Sequence, residues 1–378
     1  MRPNNFDLLR LMAALQVVYC HTCHHLDVTT GLGNPTLSYF INWFPGVPIF
    51  FTISGFLISR SWERTADWRD YAANRILRIY PALWFQLAIG ILMLACFGAI
   101  TPKVASSPSF FAWILAQATC AQFYSAQFLR DFGLRALNGS LWTIPVELGF
   151  YVLLPVLYFG LVNRLPRKWA DGGLAVLSLA SFAYWFHLSK YADEESIFVK
   201  LQIASPLPHL YMFLIGVLLQ RNFERIRPMV ENRASIWLAA FAIYMLAFNP
   251  WGMGRLSDSP LAVLGGRILL AATALSFAFS WRSLSERALQ GNDISYGVYL
   301  YHAFGIHLLT HFGWKGTSLD LGLVTLATAI MATLSWRWIE KPAVSMKSKR
   351  PRNHVRPTET AGELTPLVEA VQPERRAA

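Results

Sequence analysis

Apolar runs of about 16 to 22 residues recur along the chain, separated by short polar segments. Each run is long enough, or nearly so, to cross about 30 Å of hydrocarbon as a helix. The pattern predicts ten transmembrane helices, near residues 6–25, 44–60, 79–100, 143–162, 173–188, 205–220, 235–249, 261–281, 294–312 and 321–339. An eleventh run at 110–124 is shorter and contains Gln117 and Gln122, so we expect it to lie at the membrane interface. The long external connection that contains it, about 101–142, is a candidate lid or acceptor platform.

The distribution of basic residues predicts how these helices are oriented. The loops at 60–78, 164–168, 221–233 and 282–287 hold about twice as many Lys and Arg residues as the loops at the opposite helix ends. Cytoplasmic loops carry this excess of positive charge in membrane proteins. We therefore expect an all-α fold, a polytopic membrane helix bundle with both termini in the cytoplasm.

Composition agrees with a membrane protein and excludes other classes. Hydrophobic residues make up 54% of the chain and charged residues 15%, whereas soluble domains average about 25% charged. The net charge of +11 is explained by helix orientation, so we expect membrane lipids and no nucleic acid as partners. Residues 1–346 are predicted to form one membrane domain, and the polar, Pro-interrupted segment 347–378 a disordered basic cytoplasmic tail.

Two ionisable residues in the first helix need an explanation, because charges are unfavourable at membrane depth. Arg10 and His21 are eleven positions apart, which is three helical turns plus about 20°, so both lie on one stripe about 16 Å apart along the axis. Either they belong to a site in the bundle interior, or Arg10 reaches to the interface and His21 is a satisfied core histidine.

Residues 20–24 of the same helix match the C-x-x-C-H pattern of haem attachment, and His25 follows. Haem attachment belongs in a folded, water-facing domain, whereas these residues lie at the end of an apolar helix. A zinc site built from the two cysteines and two histidines is the other alternative. Ordinary packing at the helix end is the favoured interpretation, and we predict no metal.

Further polar residues are candidates for a site. Arg75 and Arg78 are three apart, hence neighbours on a helix, and paired guanidinium groups suit phosphate oxygens; the alternative is simple cytoplasmic flanking. Thr143 and Pro145 indicate the start of the fourth predicted helix and place Glu147 in its first turns. That carboxylate is predicted either to orient an imidazole or accept from a substrate hydroxyl, or to be structurally paired.

The ninth predicted helix carries a polar stripe in an otherwise apolar sequence. Ser295 and His302 are seven apart and therefore nearly aligned, and Tyr299 lies one turn before His302. Such a stripe faces the bundle interior, either for packing hydrogen bonds or for a site.

These segments together resemble the acyltransferase 3 family of integral-membrane O-acyltransferases. Arg10 and His21 occupy the matching positions of the family pattern L-R-G-x-A-A-x-x-V-V-x-x-H. The segment GVPIFFTISGFLIS is similar to the family's next motif, and NRILRIYPALW, SLWTIPVE and ISYGVYLYH follow in the family's order. The resemblance covers residues 5 to 345; Leu11 stands where the family usually has Gly, and Pro48 replaces its Asp.

The resemblance implies transfer of an acyl group, most often acetyl, from cytoplasmic acyl-CoA to a hydroxyl of a carbohydrate or lipid-linked glycan. Enzymes of this type include O-antigen, exopolysaccharide and Nod-factor O-acetyltransferases, and this chain looks like the stand-alone form without a soluble esterase-like domain. The implied roles are His21 as general base with Glu147 supporting it, Arg10, Arg75 and Arg78 binding acyl-CoA, and Ser54, Ser295, Tyr299 and His302 as candidate site-lining residues.

The resemblance further implies that acetyl-CoA is a co-substrate, with no permanently bound cofactor, and that the protein resides in the bacterial cytoplasmic (inner) membrane. A secondary transporter of a small polar or sugar-like solute is the alternative function, but the sequence lacks the inverted repeats and broken helices typical of transporters. A membrane-bound O-acyltransferase of the other major type does not account for the spacing of Arg10 and His21.

Overall fold

The computed structural model describes residues 4–64, 67–130, 134–191, 196–249, 259–281 and 283–347. Within these ranges the chain is helical and has no β-strand, which confirms the all-α prediction. The helices of the first half are α1 Phe6–His25, α2 Pro35–Ile41, α3 Gly46–Arg64, α4 Trp68–Cys96, α5 Pro102–Ala105, α6 Pro108–Ala118, α7 Thr143–Leu157, α8 Arg167–Ser189 and α9 Ile197–Ile203. They are followed by α10 Leu210–Arg221, α11 Phe223–Val230, α12 Ala234–Phe248, α13 Pro260–Ala278, α14 Leu284–Leu289, α15 Ser295–His311, α16 Ser318–Ser335 and α17 Lys341–Ser345.

Each of the ten predicted segments coincides with a helix, and the chain is a polytopic membrane helix bundle. Six helical stretches of the described residues are long and apolar enough to span a membrane, or seven if the bent pair Ile197–Ile203 and Leu207–Arg221 is one span. The count of about ten is therefore not confirmed. The helices α12 and α15 are short, and Asp7, Arg10 and three histidines lower the mean hydropathy of α1.

The eleventh apolar run forms α6, which has 11 residues. At 1.5 Å per residue it is about 16 Å long, half the thickness of the hydrocarbon core. It packs beside α4, where the indole Nε1 of Trp84 donates to the carbonyl oxygen of Ala118 at 2.9 Å. This length agrees with an interfacial helix rather than a transmembrane one.

Small residues let α3 and α10 approach each other closely. A Cβ atom added at Gly55 would overlap the backbone carbonyl oxygen of Phe213, and one added at Gly216 would overlap that of Thr52. Close backbone approach at small residues is a common way for helices to associate in membranes. This pair holds α3 in place beside α1, which also packs against α15 and α16.

The chain after α16 continues through the wider helical turn Trp336–Glu340 into α17. This path returns Trp336 and Lys347 to the N-terminal ends of α1, α4 and α15. The predicted tail 347–378 lies outside the described residues except for Lys347.

Candidate active site

A cavity of about 330 Å³ opens where α1, α4 and α15 begin. Its walls are completed by α3, α7 and the segment that follows α17. The three arginines predicted to bind acyl-CoA, Arg10, Arg75 and Arg78, all line it, and Lys347 lines it as well. Four cationic side chains from three distant parts of the sequence therefore share one cavity mouth.

Asp293 holds two of these arginines. Arg78 forms an ion pair with the Asp293 carboxylate, and Nη1 of Arg10 lies 3.4 Å from its Oδ2. Ser295 donates to the Asp293 Oδ1 through its backbone N–H at 3.3 Å and through its hydroxyl at 2.5 Å. Burial opposes ionisation of Asp293, but Arg78 and Arg10 together with these hydrogen bonds hold the pKa of its carboxyl below the usual range.

The other two cations are less completely paired. The guanidinium of Arg75 lies over the rings of Tyr71 and Tyr151 and donates to the Ser61 hydroxyl at 3.3 Å. Its buried Nε has no hydrogen-bond partner among the described residues. Burial, followed by the positive charges of Arg75 and its neighbouring arginines, lowers the pKa of the Lys347 ammonium to about 8. A cavity mouth with this charge attracts an anionic ligand.

Glu147 lies at the inner part of the same cavity. Its Oε1 accepts hydrogen bonds from the Ser54 hydroxyl at 3.2 Å and from the Tyr151 hydroxyl at 2.5 Å. Ser54 lines the same cavity as Glu147. The described contacts of Glu147 do not include His21, so its proposed support of His21 stays a prediction without a direct contact.

His21 belongs to a compact cluster with His302 and Ser140. Nδ1 of His21 lies 3.1 Å from Nε2 of His302 and 3.0 Å from the hydroxyl oxygen of Ser140. The same hydroxyl lies 3.2 Å from His302 Nε2. His302 and Ser140 are buried, and His21 is half-buried. Residues from α1, from α15 and from the turn before α7 therefore meet at one point.

The hydrogen bonds assign the proton positions in this cluster. Nδ1 of His302 lies 2.8 Å from the carbonyl oxygen of Tyr299, which can only accept, so this nitrogen is protonated. In the neutral ring Nε2 of His302 then has a lone pair. His21 Nδ1 carries a proton, because two lone pairs facing each other at 3.1 Å would repel. The lone pair of His21 is therefore on Nε2, the nitrogen that faces away from His302.

The cluster abuts the inner end of the cavity through two hydroxyls. Tyr299 donates to the carbonyl oxygen of Ser140 at 2.5 Å, and its oxygen lies 2.7 Å from the Thr143 hydroxyl. Both Tyr299 and Thr143 line the cavity. The side chains of Tyr299 and Thr143 thus separate the cavity from the Ser140 turn, which contacts His21.

The structure brings the predicted residues together with groups that the sequence analysis did not select. These additional groups are Ser140, Tyr151, Lys347 and Asp293. Asp293 forms the ion pairs with Arg10 and Arg78. Ser140 lies in the segment SLWTIPVE, so the motif itself was the available signal.

The C-x-x-C-H segment at residues 20–24 contacts neighbouring side chains of the bundle. The Cys20 thiol lies 2.9 Å from Oδ1 of Asn42 and 3.1 Å from Nε2 of Gln16. Across the described ranges, no group of three or more His, Cys, Asp or Glu side chains is arranged to hold a metal ion.

The helical membrane bundle thus holds a cation-lined cavity and, next to it, an internal imidazole pair. The chain belongs to the acyltransferase 3 family, whose acyltransferase-domain model matches residues 4–337, and it is an O-acyltransferase. This result favours the enzyme over the transporter that the helix number alone also permits.

Relatives match along most of their length. Nodulation protein 10 of Rhizobium leguminosarum bv. viciae is 30% identical over 368 residues, covering 91% of this chain and 94% of the relative. The O-acetyl transferase of Shigella phage Sf6 is 26% identical, with coverage of 92% and 98%, and the exopolysaccharide production protein ExoZ of Rhizobium meliloti is 26% identical, with coverage of 77% and 83%. No solved structure matches this chain.

Proposed function

We propose that the protein transfers an acetyl group from cytoplasmic acetyl-CoA to a hydroxyl of a carbohydrate acceptor, with His21 as the general base. The observation that carries this proposal is the position of the cluster of His21, Ser140 and His302 directly behind Tyr299 and Thr143, which line a cavity whose mouth is cationic. A cationic mouth suits the phosphates of a nucleotide thioester, and an imidazole suits proton transfer.

Donor binding begins at the cavity mouth. Arg75 lines the mouth without a carboxylate partner among the described residues, and Lys347 adds an ammonium beside it. The ion pairs to Asp293 pre-orient Arg10 and Arg78, so little side-chain entropy is lost when an anion binds. The pantetheine arm then extends along the cavity past Glu147 toward Tyr299, carrying the thioester inward.

The chemical step uses the unprotonated Nε2 of His21. His21 takes the proton of the acceptor hydroxyl while the hydroxyl oxygen attacks the thioester carbonyl carbon. The carbon–sulfur bond breaks, the ester bond to the acceptor forms, and His21 returns the proton to the CoA sulfur. His302 and Ser140 act as positioning residues, because they hold His21 Nδ1–H and so keep Nε2 available.

The names of the relatives support the proposed acceptor class. One relative is named an O-acetyl transferase and another an exopolysaccharide production protein, which supports acetyl as the group and a glycan as the acceptor. The proposed location is the bacterial inner membrane, with acetyl-CoA supplied from the side where basic loops are concentrated.

The test compares two histidine variants of α1. His21→Ala removes the base, whereas His24→Ala removes an exposed histidine one turn nearer the helix end and is the matched control. Surface glycans of cells that express each variant are analysed by mass spectrometry for added acetyl groups, with protein levels measured in membranes. Binding of acetyl-CoA to the purified variants is measured separately.

We expect His21→Ala to lose glycan acetylation, by about 100-fold or more, because general-base catalysis contributes about 10²–10⁴-fold. It is expected to keep acetyl-CoA binding, and His24→Ala to keep both activities. Normal acetylation by a well-expressed His21→Ala protein would exclude His21 as the base. Failure of the wild-type protein to bind acetyl-CoA would exclude the proposed donor.

A further inference from the structure

A second cavity lies on the far side of the Ser140 turn from the cationic one. Its volume is about 270 Å³, and it is built by α6, the segment that follows it and α9. Four aromatic side chains are among its lining residues, namely Trp113, Phe123, Tyr124 and Trp142. The rings of Phe123 and Tyr124 are about 40% exposed, so they are accessible to a ligand.

The position of this cavity relative to His21 follows from α15. Along that helix, Tyr299 borders the cationic cavity, and His302 follows one turn later. His307 lies beyond, where its Nε2 donates to the carbonyl oxygens of Ala136 at 3.0 Å and Leu137 at 3.1 Å. Both of those residues line the second cavity. The two histidines of the cluster therefore lie between the two cavities along the axis of α15.

A side chain of the second cavity also fixes the turn that carries Ser140. Asn138 lines this cavity, and its Nδ2 donates to the Leu300 carbonyl oxygen at 2.9 Å. Its Oδ1 accepts from the backbone N–H of Ser140 at 3.0 Å. The hydroxyl of Ser140 lies 3.0 Å from His21 Nδ1. Asn138 and Ser140 therefore connect the second cavity to the proposed base through hydrogen-bond contacts.

The polar groups of this cavity suit an uncharged, hydroxyl-rich ligand. Gln117 and Gln122 line it, and their amide nitrogens are engaged by backbone carbonyls. The hydroxyl-bearing side chains of Tyr124 and Ser125 also line the cavity, and the buried Oε1 of Gln122 has no hydrogen-bond partner among the described residues. Lys200 is the one charged side chain among the described lining residues, and no carboxylate is present there to bind a cation.

A sugar ring has both an apolar face and hydroxyl groups, which match the aromatic and the polar parts of this lining. Its C–H face packs on aromatic rings, and its hydroxyls donate to amide oxygens. Binding pockets of this kind join an apolar wall with a few placed polar groups. An acyl chain would cover the polar groups of this lining without forming hydrogen bonds to them, which is unfavourable.

We propose that this second cavity binds a sugar ring of the glycan acceptor and directs one of its hydroxyls toward His21 from the side opposite to the donor. The proposal rests on the proposed acyl transfer for the role of His21, but the sugar site itself is defined by the lining residues. Donor and acceptor thus enter through different cavities and meet at the cluster of His21, Ser140 and His302.

The experiment measures sugar binding directly, without acyl transfer. The full chain is purified into lipid nanodiscs, because detergents with sugar head groups would compete. Radiolabelled tetramers of N-acetylglucosamine and of glucose are titrated against the wild type and against Phe123→Ala and Tyr124→Ala. The matched control is Phe111→Ala, an exposed aromatic of α6 that does not line the cavity. Acetyl-CoA binding is measured on the same preparations.

We expect at least one tetramer to bind the wild type and each cavity variant to bind it about tenfold more weakly, since one aromatic contact is worth roughly a factor of ten. Phe111→Ala is expected to match the wild type, and acetyl-CoA binding to be unchanged throughout. Unchanged sugar affinity in both cavity variants, or no binding of either tetramer to the wild type, would overturn the sugar site. A preparation that fails to bind acetyl-CoA contradicts the proposed donor site. The sugar site is still decided by the sugar titration, which does not require acetyl-CoA.

Discussion

Replacing His302 tests the proton assignment in the proposed site. His302→Leu removes the nitrogen that accepts from His21 Nδ1 at 3.1 Å and leaves Ser140, at 3.0 Å, as the remaining partner. A hydrogen bond of this kind contributes about 0.5–1.5 kcal/mol net, and about 1.4 kcal/mol corresponds to a factor of ten. We therefore expect kcat to fall roughly tenfold, with the KM for acetyl-CoA unchanged because the cationic cavity is untouched.

The double variant sharpens the expectation. His302→Leu combined with Ser140→Ala removes both partners of His21 Nδ1, so the buried N–H is left unsatisfied and the ring is free to exchange tautomers. An unsatisfied buried donor adds about 1–3 kcal/mol, so kcat is expected to fall by about 100-fold or more. His302→Gln, whose amide oxygen can accept a hydrogen bond, is expected to recover part of the activity.

The assay is steady-state release of CoA thiol from acetyl-CoA in the presence of the glycan acceptor, on purified protein. Thermal unfolding of each variant is followed in parallel, because His302 is fully buried and Leu has a different shape. A kcat within twofold of wild type for a folded His302→Leu protein would refute the assignment of the His21 proton. A rise in acetyl-CoA KM without a change in kcat would refute it as well.

Two further predictions concern the cavity mouth and the helix packing. Lys347 has a pKa lowered to about 8 by burial and by Arg75 and its neighbours, so its positive charge is lost as pH rises through 8. The KM for acetyl-CoA is expected to rise between about pH 7 and 9 in the wild type and to change less in Lys347→Met, and equal slopes would contradict this role. Gly55→Ala places a Cβ against the α10 backbone, and overpacking of this kind destabilises by about 1–3 kcal/mol, so a lower melting temperature is expected in nanodiscs. Gly172→Ala, in an open part of α8, is the control and is expected to melt no lower than the wild type; equal melting of both variants would show that α3 and α10 are not closely packed there.

Local sequence was sufficient for the positions of the helices. Each predicted apolar segment is helical in the structure, because a helix satisfies its backbone hydrogen bonds within the segment itself. The same local periodicity placed Arg10 and His21 on one stripe and Ser295, Tyr299 and His302 on another. The number of membrane crossings did not follow as directly, since α12 has 15 residues and α15 has 17, fewer than the about 20 that a transmembrane helix needs.

The groups that surround the predicted residues depended on tertiary structure. Arg10 and its counter-ion Asp293 are 283 positions apart, and His21 and His302 are 281 apart. Helical periodicity relates residues within one segment only, so it does not predict that α1 packs against α15. The contact of Ser140 with both imidazoles likewise depends on how the turn before α7 packs against α15.

By itself, the sequence determined the all-α membrane class, the helix positions and most of the residues that carry the proposed chemistry. Only the tertiary structure decided that the arginines share one cavity with Asp293 and Lys347, that His302 accepts from His21, and that a second, aromatic cavity lies beyond them. The physical reason is range: helix formation is governed by neighbours within a few residues, whereas a site is defined by side chains that only long-range packing brings within hydrogen-bond distance.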